Sequence, residues 1–373
     1  MHYKIWCKSF LGITAIIISV IFCLSYIVDP IGIWGSPAVE GLNNYKEKQQ
    51  HFLEVYKPFE LRRYQPDNIY IGTSRVYVGW EAEENSYNLG MNSLSLSDMR
   101  DYLHYTYKYH VPKRVYIGLD LFQFSKKYIE RHGKGFSKER LEKLNKGGLY
   151  LIDEMLSVSM GMWEQITPTV KASRKHKGDK PIFTRGFCAL RGETNVINSK
   201  EYYSNLNSYY KSYTEWEYAP ESIICLQTIL QEAEDNGVEV YLFFNPVAID
   251  ILALQDLCEV KDNYREIKRK IADIHPVYDF AWTNVMTTDR EKYWLDGSHY
   301  HSKVGEILKN SINSSMDMDI CKLLTRDNVN KSLLEEDKSY ANWKIRHLEY
   351  LNELEQVAPK PIKEGRLVKY LDF

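Results

Sequence analysis

Two short stretches, far apart in the chain, hold residues that could carry out nucleophilic chemistry. The first begins with the apolar run Asn68–Ile71, which is typical of a buried strand in a parallel sheet. Gly72 and Thr73 follow it, and the glycine permits a sharp turn. Ser74 therefore falls at the carboxyl end of the predicted strand, where open α/β sheets bind ligands and backbone N–H groups favour negative charge. A serine in this position is either a helix cap or a nucleophile.

The second stretch is Asp-Gly-Ser-His at residues 296–299, towards the other end of the chain. Asp296 and His299 can reach one another across a tight loop, so that the carboxylate fixes the imidazole tautomer and the other ring nitrogen faces a nucleophile. His301 is a rival base, but the Asp-x-x-His spacing favours His299. Taken alone, the same spacing is common in surface turns.

Together, these stretches resemble the SGNH (GDSL-like) hydrolase superfamily, whose serine follows the first strand and whose Asp-x-x-His closes the domain. Residues 87–92 add a third similarity, because Tyr-Asn-Leu-Gly-Met-Asn resembles the Asn-x-Gly block after the family's second strand. The resemblance implies that Ser74 is the nucleophile, His299 the base and Asp296 the residue that orients the base. It also implies an oxyanion hole formed by the backbone N–H groups of Ser74 and Gly90.

One block departs from the family pattern. The family has Gly-x-Asn-Asp after its third strand, with the asparagine as an oxyanion donor, whereas residues 117–121 read Ile-Gly-Leu-Asp-Leu. An ionised Asp120 aimed at an oxyanion would repel it. We therefore expect Asp120 to point elsewhere, with Arg75 as a neutralising partner, or the hole to be built differently. Asn88 or Asn92 could then supply a side-chain donor.

A further polar residue, Asn245, follows the predicted strand 238–244 and so lies near the same end of the sheet. It could hydrogen-bond substrate or hold its turn, and it joins Arg75 and Asp120 as a candidate substrate contact. The sequence contains no Cys-x-x-Cys pair, no histidine spacing of a zinc site and no Gly-rich phosphate loop. We therefore predict neither a metal nor an organic cofactor.

The arrangement of apolar runs predicts an α/β fold. Strands are predicted at 68–72, 87–89, 114–121, 238–244 and 277–279, and helices at 97–109, 222–236, 262–274 and 302–313. This alternation indicates a three-layer α/β/α domain with about five parallel strands. The commonest short version is flavodoxin-like, with strand order 2-1-3-4-5, and would bring Ser74, Gly90 and Asp120 together at its switch point.

Residues 9–28 form an uncharged apolar run long enough to span the roughly 30 Å hydrocarbon core of a bilayer. A cleaved signal peptide would have a shorter apolar region followed by small residues, and a buried core helix is the other alternative. Lys4 and Lys8 precede the run and Asp29 follows it, which places the N-terminus in the cytoplasm. The sequence therefore predicts a single-pass protein of the inner (cytoplasmic) membrane, with its folded part in the periplasm or outside the cell.

The domain organisation follows from these features. We predict a cytoplasmic tip (1–8), a transmembrane helix (9–28), a membrane-exit segment with a lead-in helix (29–66), the SGNH-like domain (67–320) with an insertion at about 122–200, and a helical C-terminal tail (321–373). Within the lead-in segment, residues 43–56 have a helical pattern that Pro58 should end or kink.

Two groups of side chains in and after the insertion are candidates for substrate contact. A basic group is either a solvated face or a lid that attracts an anionic polymer or anionic lipid head groups. It comprises Lys171, Arg174, Lys175, His176, Lys177 and Lys180. An aromatic group is either a sugar-stacking wall or the underside of a lid. It comprises Tyr202, Tyr203, Tyr209, Tyr210, Tyr213, Trp216 and Tyr218.

Charge and cysteine content bound the function further. The chain of 373 residues has a formal net charge of −2, so nothing global points to nucleic acid. Cys7 and Cys23 belong to the predicted membrane segment. The remaining cysteines could form disulfides outside the cytoplasm or stay as buried thiols. They are Cys188, Cys225, Cys258 and Cys321.

By resemblance, the expected function is that of a membrane-anchored esterase or acyltransferase acting on ester groups, O-acetyl groups above all, of an extracytoplasmic polysaccharide. The alternative is a catalytically inactive SGNH-like scaffold that binds glycan or partner proteins in an envelope assembly. Asp120 in place of the family's asparagine favours this alternative.

Overall fold

A mostly parallel six-stranded sheet forms the centre of the protein. The computed structural model describes residues 2–132, 138–189, 200–314 and 317–357. In chain order the strands are β1 (Asn68–Ile71), β2 (Ser86–Asn88), β3 (Arg114–Leu119), β4 (Phe183–Thr184), β5 (Phe187–Cys188), β6 (Glu239–Phe244), β7 (Val277–Asp279) and β8 (Lys322–Leu324). Across the sheet the order is β2-β1-β3-β6-β7-β8, with β8 antiparallel to β7 and the others parallel. β4 and β5 form a separate antiparallel hairpin.

Helices occupy most of the remaining described chain. They are α1 (His2–Val28), α2 (Leu53–Tyr64), α3 (Ser74–Gly79), α4 (Leu96–Tyr107), α5 (Lys126–His132), α6 (Lys138–Asn145), α7 (Gly148–Gly161), α8 (Ile166–Lys175), α9 (Lys200–Thr214), α10 (Pro220–Asp235), α11 (Ile249–Leu257), α12 (Lys261–Ile274), α13 (Val285–Thr288), α14 (Arg290–Tyr293), α15 (Ser302–Asn313), α16 (Val329–Arg346) and α17 (Leu348–Val357). Short 3-10 turns lie at Gln49–His51, Leu121–Phe124 and Trp163–Gln165. The predicted α/β fold with a mostly parallel sheet is confirmed.

The two faces of the sheet carry different cores. Because side chains alternate along a strand, Ile69 and Ile71 of β1 point to one face and Tyr70 to the other. The first face belongs to a large aliphatic cluster, whereas Tyr70 joins a smaller and more aromatic cluster with Trp80 and Tyr300. This aromatic face holds α3 and α15 against the sheet. These two helices flank the predicted catalytic residues.

Strand β8 was not predicted from the sequence. The tail from residue 321 was expected to be helical, but Lys322–Leu324 pairs with β7 in the register Val277↔Leu324 and Asp279↔Lys322. A strand of three residues is too short to show a period, so its apolar residues gave no signal. The predicted boundary between 320 and 321 therefore cuts through the sheet, and α16 and α17 follow this strand. The last predicted residues, 358–373, lie outside the described part.

The lead-in helix also differs from the prediction, because α2 (Leu53–Tyr64) begins later than expected and continues through Pro58. Proline has no N–H to donate to the carbonyl of Glu54, four residues earlier. The hydroxyl of Tyr102 donates to this carbonyl instead, at 3.3 Å. A tertiary contact thus replaces the missing helical hydrogen bond and allows the helix to continue.

The apolar helix α1 is largely exposed and is long and apolar enough to cross a membrane. Membrane anchors and signal sequences share these properties. The last turns of α1 pack against the fold. Ser25 and Val28 are buried there, and Asn43 Nδ2 donates to the carbonyl of Ile27 at 2.9 Å. None of the six cysteines, all of which lie in the described part of the chain, forms a disulfide.

Candidate active site

Ser74 is held at the carboxyl edge of the sheet by a turn that only glycine allows. β1 ends at Ile71, and α3 begins at Ser74 with Thr73 as its N-terminal cap. A Cβ on Gly72 would lie 2.3 Å from Cγ2 of Val76 and 3.1 Å from the carbonyl oxygen of Gly118. The backbone of β1 therefore approaches β3 and α3 too closely for any side chain. Ser74 itself is half-buried and lines a cleft.

The structure brings the predicted catalytic side chains together although they are 225 residues apart in sequence. His299 Nε2 lies 2.9 Å from Ser74 Oγ, and His299 Nδ1 lies 2.8 Å from Oδ2 of Asp296. The backbone N–H groups of Ser298 and His299 donate to Asp296 Oδ1 at 2.7 and 2.8 Å. Each ring nitrogen of the histidine thus faces one partner, as an acid–base relay between a carboxylate and a hydroxyl requires.

Asp296 is ionised in this arrangement. Burial disfavours its charge, but the hydrogen bond and the charge of His299, together with the two backbone N–H donors, outweigh that effect and lower the pKa of Asp296 to about 2. An ionised carboxylate fixes the proton of His299 on Nδ1. The Nε2 atom is then left as the acceptor that faces Ser74.

The loop that carries Asp296 and His299 is braced from below by aromatic side chains. Trp294 and Tyr300 form an isolated bridge across its base, and Trp294 Nε1 donates to the carbonyl of Met286 at 3.0 Å. The Tyr300 hydroxyl donates to Asn245 Oδ1 at 2.9 Å. Because these rings are fully buried, the loop has little freedom to move the histidine away from Ser74.

Asp120 is paired with Arg75, which is one of the two arrangements expected from the sequence. Arg75 Nη1 contacts Asp120 Oδ1, and Asp120 Oδ2 accepts hydrogen bonds from Thr73 Oγ1 at 2.7 Å and Asn245 Nδ2 at 3.3 Å. Arg75 also donates from Nε to the carbonyl of Ser298 at 2.9 Å. Burial opposes its charge, but Asp120 more than compensates, so that the pKa of Arg75 is raised above its usual value. Through these contacts, Arg75 and Asp120 connect α3, β3 and the loop that carries His299.

This network corrects the prediction that Arg75, Asp120 and Asn245 contact substrate. Arg75 and Asp120 are only 2% and 1% exposed, and Asn245 is fully buried. None of the three lines the cleft at Ser74. Their partners are other protein groups, so they position the site. For Asn245, the turn-holding alternative fits this arrangement.

The predicted oxyanion donors are corrected in part. The N–H of Gly90 donates to Asn88 Oδ1 at 2.9 Å, and Asn88 Nδ2 donates to the carbonyls of Val76 and Trp80. Asn88 and Gly90 therefore bond within the fold and do not present donors to the cleft. Asn92 is exposed and accepts from the Tyr77 hydroxyl at 2.8 Å, beside an adjoining cavity. The N–H of Ser74 lies in the first turn of α3, where N–H groups have no intrahelical acceptor.

A buried lysine that sequence reasoning missed supports the same loop. Lys57 Nζ donates to the carbonyl oxygens of Asn88, Gly90 and Gly186 at 2.9, 2.5 and 2.9 Å. Burial lowers the pKa of Lys57 to about 7. Lys57 lies within the charged lead-in segment, and the sequence does not indicate which of the charged side chains there is buried.

The cleft at Ser74 has a volume of about 310 Å³ and lies between α5 and α9. Its walls are rich in hydroxyl, amide and aromatic groups. They include Ser93, Phe122, Ser125, Tyr128, Asn205, Ser208, Tyr209, Ser212 and Ser298. The two walls are joined by Lys127, which forms an ion pair with Glu215 at 2.6 Å. The cleft is therefore a polar pocket with aromatic faces.

Only part of the predicted aromatic wall faces the cleft. Tyr209 lines it, and its hydroxyl accepts from Arg75 Nη2 at 2.8 Å and lies 2.7 Å from Ser298 Oγ. Tyr202, Tyr210 and Tyr213 are buried in the core instead. Most of this segment is thus the underside of the insertion, packed on the domain. Aromatic contact with a ligand would come from Tyr209, Phe122 and Tyr128, of which the last two were not predicted.

Among the residues that the structure describes, no group of three histidine, cysteine or acidic side chains is arranged to hold a metal ion. Comparison with known proteins assigns the chain to no family: no family model matches it, and no curated protein is significantly similar in sequence. The evidence for a function therefore comes from the geometry of the site.

Proposed function

We propose that the protein is a serine esterase or O-acyltransferase of the SGNH type, on a flavodoxin-like α/β/α domain. The single observation that carries the proposal is the Ser74–His299–Asp296 relay, with Oγ to Nε2 at 2.9 Å and Nδ1 to Oδ2 at 2.8 Å. If Ser74 only capped a helix, its hydroxyl would not require an imidazole as a hydrogen-bond partner. The surface-turn alternative for Asp-x-x-His is also disfavoured, because both side chains are buried.

In the proposed mechanism, Ser74 Oγ attacks the carbonyl carbon of an ester while His299 Nε2 takes the hydroxyl proton. The ionised Asp296 stabilises the imidazolium that forms. His299 then gives the proton to the leaving alcohol oxygen, which leaves an acyl group on Ser74. Water completes hydrolysis, or an acceptor hydroxyl completes transfer, by the same proton path in reverse.

The N–H of Ser74 is the oxyanion donor that the geometry supports. It opens α3, where the partial positive charge of a helix start favours a developing negative charge. One such donor typically contributes roughly 3 kcal/mol to lowering the barrier. Pairing with Arg75 keeps the negative charge of Asp120 compensated beside the site.

The cleft favours a sugar ester as the substrate. Hydroxyl and amide groups such as Ser125, Asn205 and Ser208 can hydrogen-bond sugar hydroxyls, and the rings of Phe122 and Tyr128 offer flat apolar faces. The volume of about 310 Å³ suits a small acyl group, such as acetyl, and one or two sugar rings. With α1 as an inner-membrane anchor, the substrate would be an extracytoplasmic polysaccharide.

The alternative function is an inactive scaffold that binds glycan or envelope proteins. It is favoured by the internal hydrogen bond of the Gly90 N–H, which leaves the predicted oxyanion hole with one of its two backbone donors. The two functions differ in whether Ser74 reacts.

The decisive experiment measures ester hydrolysis and fluorophosphonate labelling of the full chain in detergent. We expect wild type to release acetate from a chromogenic acetyl ester and to be labelled on Ser74. Ser74→Ala and His299→Ala should abolish turnover with thermal midpoints within a few degrees of wild type. Thr228→Ala is the matched control, because it removes an exposed hydroxyl of α10 that donates to the carbonyl of Ile224 and does not line the cleft. A wild-type protein that is neither labelled nor active would contradict the esterase proposal and favour the scaffold.

A further inference from the structure

A stripe of exposed apolar side chains runs along α7 and into the turn that follows it. The α7 stripe consists of the exposed Leu149, Ile152, Met160 and Trp163 and the half-buried Leu156, and successive members are spaced by three, four, four and three residues. This spacing places all five on one face of a helix. Leu149 is 81% exposed, Ile152 51%, Met160 56% and Trp163 55%.

Another face of α7 packs against the fold. Val158 and Ser159 are buried, and Glu154 turns inward to accept from Arg140 and Lys143, each at 3.0 Å. The stripe lies among the residues of α7 that no other described part of the chain covers. Several large apolar side chains in one exposed row usually mark an interaction surface.

The apolar helix α1 lies next to this surface. α1 packs against both α7 and α8. Just after its end, the ring of Trp34 contacts Phe22 and Tyr26 of α1, and Trp34 Nε1 donates to Ser159 Oγ of α7 at 2.9 Å. α7 is therefore fixed beside the last turns of the helix that would cross the bilayer.

Basic side chains flank the same region. Lys171, Arg174 and Lys175 are exposed on α8, and Lys177 follows directly. Gly41, in the segment that leaves α1, lies close enough to the side chains of Lys177 and Arg174 that an added Cβ would be 3.4 and 4.0 Å from them. An apolar row with a neighbouring cluster of lysine and arginine is the composition of a segment that lies in a membrane interface.

We propose that the α7 stripe inserts into the outer interfacial layer of the same bilayer that α1 spans, with the basic residues of α8 at the phosphate level. The occupant of the stripe is lipid. The inference rests on the membrane-anchoring part of the proposed function and is independent of the esterase chemistry. With α1 as the only contact, the domain could change its orientation relative to the membrane. A second contact through the α7 stripe fixes that orientation.

The test is photocrosslinking of the full chain in nanodiscs of phosphatidylcholine and phosphatidylglycerol. Benzoylphenylalanine replaces Leu149, Ile152 or Met160 in separate variants, and adducts are identified by mass. Ile13 on α1 is the positive control, and the exposed Ile224 of α10 is the matched control away from α1. We expect phospholipid adducts from the three stripe positions and from Ile13, and none from Ile224.

Two results would overturn the proposal in different ways. Lipid adducts at Ile13 but not at the stripe, or adducts of the stripe to a second copy of the chain, would show a water-facing or protein-covered surface on an anchored protein. Absence of lipid adducts at Ile13 as well would show that the anchor fails, and the inference with it. Fluorophosphonate labelling of Ser74 in each variant reports separately on the proposed esterase.

Discussion

At the scale of single residues, Asp296 is a buried carboxylate whose ionised form is stabilised by its hydrogen-bond partners. It is 5% exposed and receives hydrogen bonds from His299 Nδ1 and from the N–H groups of Ser298 and His299. Its pKa of about 2 is below the value of about 3.9 of an unfolded chain. The folded state therefore stabilises the ionised form of Asp296 more than the unfolded state does.

This difference predicts a pH-dependent stability. The contribution of Asp296 should be complete above about pH 5 and should be lost as the pH falls towards 2, because protonation then removes the favoured charge. Asp296→Asn should lower the free energy of unfolding by about 2 kcal/mol at pH 7 and by clearly less at pH 3. Denaturant titrations at both pH values measure this, with the exposed Asp262→Asn as control. An equal loss at both pH values would contradict the assignment.

The Arg75–Asp120 pair gives a second residue-scale prediction. Either Arg75→Met or Asp120→Asn leaves one buried charge without its partner, which should destabilise the protein by about 3–5 kcal/mol. The double variant should lose less than the sum of the two single losses. The free energies of unfolding of the four proteins provide the measurement.

The exposed ion pair of Lys113 and Asp67 is the control for this cycle. Asp67→Asn should change the stability by less than about 1 kcal/mol, because solvent screens such a pair. Additive losses for Arg75→Met and Asp120→Asn would show that the two side chains do not depend on each other.

At the scale of elements, the site depends on how closely α3 and α15 approach. α3 begins at Ser74, and α15 begins three residues after His299. A Cβ on Gly305 of α15 would lie 1.9 Å from the carbonyl oxygen of Gly79 at the end of α3. The contact is between two backbones, so a side chain there must push the helices apart.

Gly305→Ala should therefore separate Ser74 from His299 and destabilise the domain by about 1–3 kcal/mol. A displacement of about 1 Å at the relay should reduce ester turnover about a hundredfold. Gly161→Ala at the end of α7 is the matched control, because an added Cβ meets nothing within 4 Å there. Comparison of turnover and thermal midpoint in both variants is the measurement, and wild-type turnover in Gly305→Ala would refute the close-packing role.

The sequence predicted the elements that have a clear period or a continuous apolar run. α4, α10, α12 and α15 follow the helical spacing, and the relay followed from short motifs. The missed features are set by contacts between distant residues. Pro58 stays within α2 because Tyr102 supplies a donor to the freed carbonyl, and Asn88 takes the N–H of Gly90. Such pairings have no local signature in the chain.

At the scale of the whole molecule, α1 is continuous with the fold. Asp29, which follows it directly, is fully buried and accepts from the N–H groups of Trp34, Gly35 and Ser36 at 3.1, 2.9 and 3.2 Å. These contacts support the proposal that α1 is a retained anchor.

This anchor predicts the topology of the protein in a bacterial host. Lys4 and Lys8 precede the apolar stretch, so the N-terminus should remain in the cytoplasm and the folded part should be exported. A C-terminal alkaline phosphatase fusion, which is active only outside the cytoplasm, should be active, whereas a β-galactosidase fusion should not. If α1 is retained as proposed, the full-length chain should sediment with membranes.

Protease added to spheroplasts supplies the independent measurement, because it should digest the folded part and spare a cytoplasmic marker. Removal of the two positive charges is the matched control. Lys4→Ser and Lys8→Ser together remove the basic residues that hold the N-terminus inside, and should lower the exported fraction while the isolated fold is unchanged. Protection of the wild-type domain from protease would reject the placement of the Ser74 cleft outside the cytoplasm. Recovery of a soluble form that lacks α1 would reject the single-pass anchor alone.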